Sequence, residues 1–200
     1  MSRSIIDILT DRSRRDFLRK SFAGVGWIMA GTTLSRCASE GDSGATTSNL
    51  ANLGPLQEPD ENGLRLPAGF TSRIVARSGQ AVEGTDYVWH NAPDGGAVFT
   101  TSDGGWIYVS TSETFPQLGG GASALRFGSS GEIADAYRIL SDTTLNCAGG
   151  ATPWGTWLSC EESPTGQVWE CDPLGVRAGV VRPAMGSFEH EAAAIDEANQ

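Results

Sequence analysis

The stretch Asn146–Glu162 reads N-C-A-G-G-A-T-P-W-G-T-W-L-S-C-E-E. It gathers a thiol at Cys147, two consecutive glycines, two tryptophans and the paired carboxylates Glu161 and Glu162. The Gly149-Gly150 pair lets backbone pass close to another group, because glycine has no Cβ and tolerates positive φ. Trp154 to Ser159 is rich in aromatic and small residues and reads as a buried strand, with Cys147 entering one end and the glutamates leaving the other. A soft thiolate and hard carboxylates in one segment suit iron or zinc better than calcium alone. The same residues also read as a core cysteine and a solvated acidic turn. What separates the two readings is an echo earlier in the chain.

Tyr108-Val109-Ser110-Thr111-Ser112-Glu113 aligns with Trp157-Leu158-Ser159-Cys160-Glu161-Glu162, and Asp94-Gly95-Gly96-Ala97 resembles Ala148-Gly149-Gly150-Ala151. The elements that must position these residues are short apolar runs broken by Gly, Asp, Ser and Pro. Ala97–Thr101 with Trp106–Ser110, Ala122–Phe127 with Ile133–Leu140, and Thr156–Cys160 with Gln167–Cys171 read as three hairpins. Ala192–Ile195 begins a further strand. No stretch beyond the N-terminal leader has a 3.6-residue period, so the fold class is all-β. A repeat of about 50 residues with about four strands per unit is the period of a β-propeller blade. Such a fold places Glu113 and Glu162 at equivalent points of neighbouring blades near a central axis, where clustered carboxylates bind metal. Two and a half blades do not close a ring and would leave bare edges. The sequence is therefore expected to be the N-terminal part of a longer protein.

The 200-residue chain carries a net charge of −10, and beyond Cys37 only seven arginines and no lysine face 21 acids. A body that negative repels nucleic acid and anionic lipid and attracts cations. The bases concentrate at the front. Ser13-Arg14-Arg15-Asp16-Phe17-Leu18 is a twin-arginine signature, followed by a moderately apolar run, Ser21 to Leu34, that is too short to span a membrane and fits a signal segment. Arg36 before Cys37 departs from a lipidation site. The expected organisation is a signal peptide over 1–38, a Gly/Ser/Thr-rich linker over 39–53 and a partial propeller over 54–200. Three cysteines remain after the leader, so at least one thiol is free or bound to something. Cys160 and Cys171, on opposite arms of a hairpin, are candidates for a disulfide if the register makes them face each other.

With Cys147, Glu162, Glu191 and the leader in view, the chain resembles the PhoX family of alkaline phosphatases from about Gly54 to Gln200. The specific points are N-C-A-G-G-x-T-P-W-G-T-W-L-x-C-E-E at Asn146–Glu162 and G-x-F-x-H-E at Gly186–Glu191. The resemblance implies a six-bladed propeller whose axial site holds iron and calcium and hydrolyses phosphomonoesters. By that likeness Cys147 and Glu162 are iron ligands and Glu191 is a further metal ligand, and these three carry the catalytic site. A family segment N-H-E corresponds to Thr111-Ser112-Glu113, which keeps only the glutamate, so Glu113 is the fourth candidate ligand. The expected partners are a phosphate-ester substrate and the twin-arginine export machinery. No nucleic acid and no stable membrane anchor are expected, and the protein is read as a monomer, periplasmic or secreted.

Other residues read more plainly. Alternation along the strand sends Glu161 away from Glu162. His190 is either a ligand or a structural hydrogen-bonding group. His90, Asn91 and Asp94 lie where they offer calcium ligands or, more simply, a turn. Trp154 and Trp157 read as packing. No G-x-x-x-x-G-K, G-x-S-x-G or H-E-x-x-H motif occurs, so rival hydrolase and nucleotide-binding readings lack support. The alternative function is a non-catalytic propeller of the cell envelope that binds calcium or a partner.

The leader makes its own prediction. Replacing Arg14 and Arg15 by Lys keeps the precursor in the cytoplasm, because the export receptor reads that pair as an address. Fractionated cells that still accumulate the doubly substituted protein in the periplasm would overturn the expectation.

Overall fold

The computed structural model describes residues 52–196. The signal peptide and nearly all of the linker expected from the sequence lie outside that range. Eight strands follow in chain order: β1 (Pro93–Thr100), β2 (Trp106–Ser112), β3 (Gly121–Phe127), β4 (Ile133–Ser141), β5 (Asn146–Ala151), β6 (Trp157–Glu161), β7 (Val168–Cys171) and β8 (Val180–Val181). They form two antiparallel four-stranded sheets, ordered β1-β2-β3-β4 and β5-β6-β7-β8, so every neighbour in space is also the neighbour in sequence. Among the described residues, single 3-10 turns stand at Pro116–Leu118 and Pro183–Met185. Among the described residues no helix is long and apolar enough to cross a membrane.

All three hairpins predicted from the sequence form, and the chain is all-β as expected. Three details differ. The strand read over Trp154–Ser159 begins only at Trp157, because Thr152–Thr156 is a turn in which the Thr152 N–H donates to Thr156 O at 2.8 Å. Trp154 therefore lies exposed, its indole N–H donating to Glu170 Oε1 at 2.7 Å, instead of packing in a core. The strand expected over Ala192–Ile195 is absent. Ala193 N–H reaches Gly149 O at 3.2 Å, but no ladder extends from that bond. Cys160 and Cys171 do not pair. Cys160 opposes Val168 and Cys171 opposes Trp157, three residues from Cys160 along β6, which puts the two thiols on opposite faces of the sheet.

Alternation along each strand sorts the apolar residues into three layers. Ile107, Val109, Ala122, Ala124, Ile139 and Leu140 of the first sheet meet Trp157 and Cys171 of the second, so a shared core joins the sheets. The opposite face of the first sheet, with Leu125, Phe127 and Ala136, is covered by Val82 and Trp89 from the preceding segment. The opposite face of the second, with Leu158, Cys160 and Val168, is covered by Ala193 and Ile195. Each sheet is thus buried on both faces, which explains why its central strands read as nearly continuous apolar runs.

The two sheets repeat one local design. Gly96 opposes Ser110 in the first and Gly149 opposes Ser159 in the second, and the register slips just before each glycine. The repeat therefore pairs Gly96 with Gly149, one residue away from the alignment suggested by the glycine doublets. Ser112 and Glu161 hold matching positions at the ends of β2 and β6. Ser112 Oγ donates to Asn91 O at 2.7 Å, tying down the loop before β1. Glu161 is buried and ties down the loop before β5: its carboxylate accepts from Thr144 N–H at 2.8 Å and from Gln167 N–H at 2.9 Å. Alternation did send it away from Glu162, but into the fold and not to solvent. Glu161→Ala orphans two backbone donors and is expected to lower stability by about 3 kcal/mol. Glu161→Gln, which keeps one acceptor oxygen, should lose about half as much. Urea unfolding midpoints of the two variants measure the difference.

Candidate metal centre

The site is built by the starts of β1 and β5. In each sheet two residues stand against one across the slip in register: Asp94-Gly95 against Thr111, and Cys147-Ala148 against Cys160. This is a β-bulge, which turns a side chain out of the ladder and re-aims it. The residue just before each strand holds a left-handed backbone, Ala92 at φ 44° and Leu145 at φ 47°. Each carbonyl of that pair accepts from the residue just past the second strand, Glu113 N–H to Ala92 O and Glu162 N–H to Leu145 O, both at 2.9 Å. Asp94 and Cys147 thus hold one equivalent position in the two sheets, and Glu113 and Glu162 hold another.

The two sheets bring these positions together. A Cβ on Gly95 would lie 2.5 Å from Ala148 Cα, so only glycine permits the approach of β1 to β5. Ligand atoms of Asp94, Glu113 and Cys147 all lie within 4.8 Å of one another. The Cys147 thiol donates to Asp94 Oδ2 at 3.0 Å. Burial first, then that bond to Asp94, with Glu162 contributing further, pushes the thiol up to about 12. Glu113 is raised above the usual carboxylate range, chiefly by desolvation and then by the negative charges of Asp94, Glu162 and Glu191. Four carboxylates and a thiol therefore share one neighbourhood. The ion pairs among the described residues, Arg126–Asp103, Arg177–Asp172 and Arg182–Glu170, lie elsewhere.

The chemistry of this donor set fits a metal. Carboxylate oxygens suit hard cations such as calcium and ferric iron, and a thiolate beside them adds affinity for iron. A thiol among carboxylates stays protonated until a cation offsets the negative charge, and a coordinating cation holds it deprotonated. Of the residues singled out from the sequence, Cys147 and Glu113 belong to the tight trio. Glu162 and Glu191 are near enough to act on it electrostatically. Asp94 completes the trio, although its sequence context reads as a turn. Its signal was the Asp-Gly before the glycine that matches Gly149, visible only once the repeat is shifted by one residue.

The segment that brings Glu191 back is held by the end of β6. Phe188 N–H donates to Gly166 O at 3.1 Å, His190 N–H donates to Glu161 O at 3.0 Å, and Glu189 bridges to Glu162. His190 is buried with its ring centroid 3.8 Å from that of Phe188 and tilted 36° to it, and its Nε2 has no hydrogen-bond partner. His90 and Asn91 take no place among the ligand atoms: the His90 ring is engaged behind the site, and Asn91 is exposed with its carbonyl accepting from Ser112.

Residues 110–200 match the family model for alkaline phosphatase PhoX. The matched span contains Glu113, Cys147, Glu162 and Glu191, while Asp94 precedes it. No curated protein and no solved structure matched the chain.

His90 anchors the loop before β1 from beneath. It is buried, with Nδ1 2.8 Å from Ser123 Oγ, Nε2 3.3 Å from Ser110 Oγ and its ring 4.4 Å from that of Trp89. Burial, with the Arg138 charge second, lowers it from 6.5 to about 4. Between those values the unfolded chain binds a proton that the folded chain refuses. Its stabilising contribution is therefore complete above pH 6.5 and is lost as the pH falls towards 4. The loss from this residue should approach about 3 kcal/mol. Urea titrations from pH 7 to 4 should show a shallower decline in His90→Asn than in the parent protein.

Proposed function

From the family match over residues 110–200, we propose that this chain contributes the metal centre of a phosphatase that hydrolyses phosphomonoesters. The observation that carries the reading is the convergence of Asp94, Glu113 and the Cys147 thiol at the facing bulges of two sheets. Cys147, Asp94 and Glu113 would hold the metal, with Glu162 and Glu191 as further ligands, and iron with calcium is the pairing that such a mixed donor set favours. Bound there, metal ions supply Lewis-acid polarisation of a phosphoryl group and stabilisation of the leaving oxygen.

The chain's own residues do the positioning. The bulges direct Asp94 and Cys147 into one space, and the left-handed turns at Ala92 and Leu145 fix where Glu113 and Glu162 emerge. Without bound cations this cluster repels a phosphate dianion, so substrate binding and metal loading are linked. The stacked sheets, with their matched bulges and shared core, fit successive blades of a six-bladed propeller. The twin-arginine leader fits export to the periplasm or exterior of a protein that folds, and loads its metal, before translocation.

Protein purified without chelator should contain iron, and Cys147→Ser should deplete iron and phosphomonoesterase activity together, the latter by about a hundredfold or more. Cys160→Ser should spare both, because that thiol lies on the apolar face of β6 among Leu158 and Val168. Metal analysis beside hydrolysis of a chromogenic phosphomonoester decides the matter. Unchanged iron and turnover in Cys147→Ser would return Cys147 to the status of an ordinary buried thiol.

A further inference from the structure

Behind the ligand trio lies a fully buried hydroxyl that faces two carbonyls. Thr111 Oγ1 lies 3.1 Å from Gly95 O and also donates to Cys147 O, so the bulge of β1 and the bulge of β5 converge on one side chain. Gly95 follows Asp94 directly, and Cys147 O belongs to the thiol-bearing residue itself. A hydroxyl carries a single proton, shared here between two carbonyl oxygens. The approach it holds is close, since Ala148 Cα occupies the space a Cβ on Gly95 would need. The separation of Asp94 Oδ2 and Cys147 Sγ, 3.0 Å, is set by the same two backbones.

The second sheet supplies a contrast. The position matching Thr111 is Cys160, which opposes the β5 bulge and packs among apolar residues, with no hydrogen bond to either bulge. A thiol is a weak donor and a small hydrophobe. The hydroxyl is thus specific to the sheet that faces both bulges, and the fold as such does not require it at this position.

We propose that Thr111 is a positioning residue for the metal centre. By bridging Gly95 O and Cys147 O it fixes the distance between Asp94 and Cys147, and with it the affinity of the site. This rests on the metal-site reading above, and the test separates the two. Cobalt(II) is titrated into the metal-free chain, following thiolate-to-cobalt absorption, and the thermal unfolding of the same metal-free samples is recorded. Thr111→Val keeps the shape and removes the donor, and it should weaken cobalt binding by about ten- to a hundredfold, the usual scale for losing a partner behind a ligand. Thr111→Ser keeps the hydroxyl and should bind within a few-fold of the parent.

Cobalt affinity unchanged in Thr111→Val, whatever its melting temperature, would overturn the proposal. So would a Thr111→Ser variant as weak as Thr111→Val, since shape and not the hydroxyl would then be responsible. A parent chain that gives no thiolate–cobalt band would overturn the metal reading, and this inference with it. If Thr111→Val does not fold, Thr111→Ala is compared with Thr111→Ser by the same titration.

Discussion

One backbone hydrogen bond per sheet governs the geometry of this protein. The residue just past the second strand reaches back to the residue just before the first, Glu113 to Ala92 and Glu162 to Leu145. To offer its carbonyl there, the earlier residue must adopt a left-handed backbone, which costs a non-glycine residue of order 1 kcal/mol. That strain is held by neighbours which over-determine the loop: Ser112 bonded to Asn91 O in one sheet, and Glu161 bonded to Thr144 N–H in the other. Once the loop is pinned, the chain starts its strand out of step by one residue, and the bulge turns Asp94, which is exposed, and Cys147, which is buried, out of their ladders towards each other. The convergence of Asp94, Glu113 and Cys147 is a consequence of strand closure.

The same logic separates the roles of residues that look alike in sequence. Three buried cysteines lie within one sheet. Cys171 faces the first sheet, Cys160 the opposite face, and only Cys147, lifted out by the bulge, meets carboxylates. Glu161 and Glu162 are adjacent, yet one is a buried acceptor for backbone donors and the other emerges at the charged cluster. Both histidines are buried, but His90 has a serine hydroxyl against each ring nitrogen, whereas the Nε2 of His190, the residue before Glu191 in sequence, has no hydrogen-bond partner. In each pair burial is shared, and the difference lies in which atoms the neighbouring backbone offers.

The sequence was most legible where the physics is local. Alternation and Gly/Asp/Ser turns located the three hairpins, and the Ser-x-x-Glu echo located Glu113 and Glu162. It was least legible at the bulges. Period-two reasoning assumes that every residue occupies a rung, and a bulge adds one that does not, so the Gly-Gly doublets align one residue out of step and Asp94 reads as a calcium ligand or, more simply, as part of a turn. Trp157 packs in the core as read, but Trp154 misleads: it resembles strand, whereas Thr152 and Thr156 close a turn through their hydroxyls, 2.8 Å apart, and leave its indole outside. Whether Cys160 and Cys171 face each other is decided by register, which depends on the length of the connection between β6 and β7 and puts them on opposite faces.

Asp94 and Cys147 occupy the same socket in two copies of one structural unit, one filled by a hard oxygen donor and the other by a soft sulfur donor. Location is written in the backbone and donor type in a single side chain, and the two are independent. A protein assembled from such units can change the character of its inner surface one residue at a time, from calcium-like to iron-like preference, without altering strand number, register or core. The chemical diversity open to the architecture then grows with the number of sockets, and the cost in foldability of each exchange stays confined to one turn.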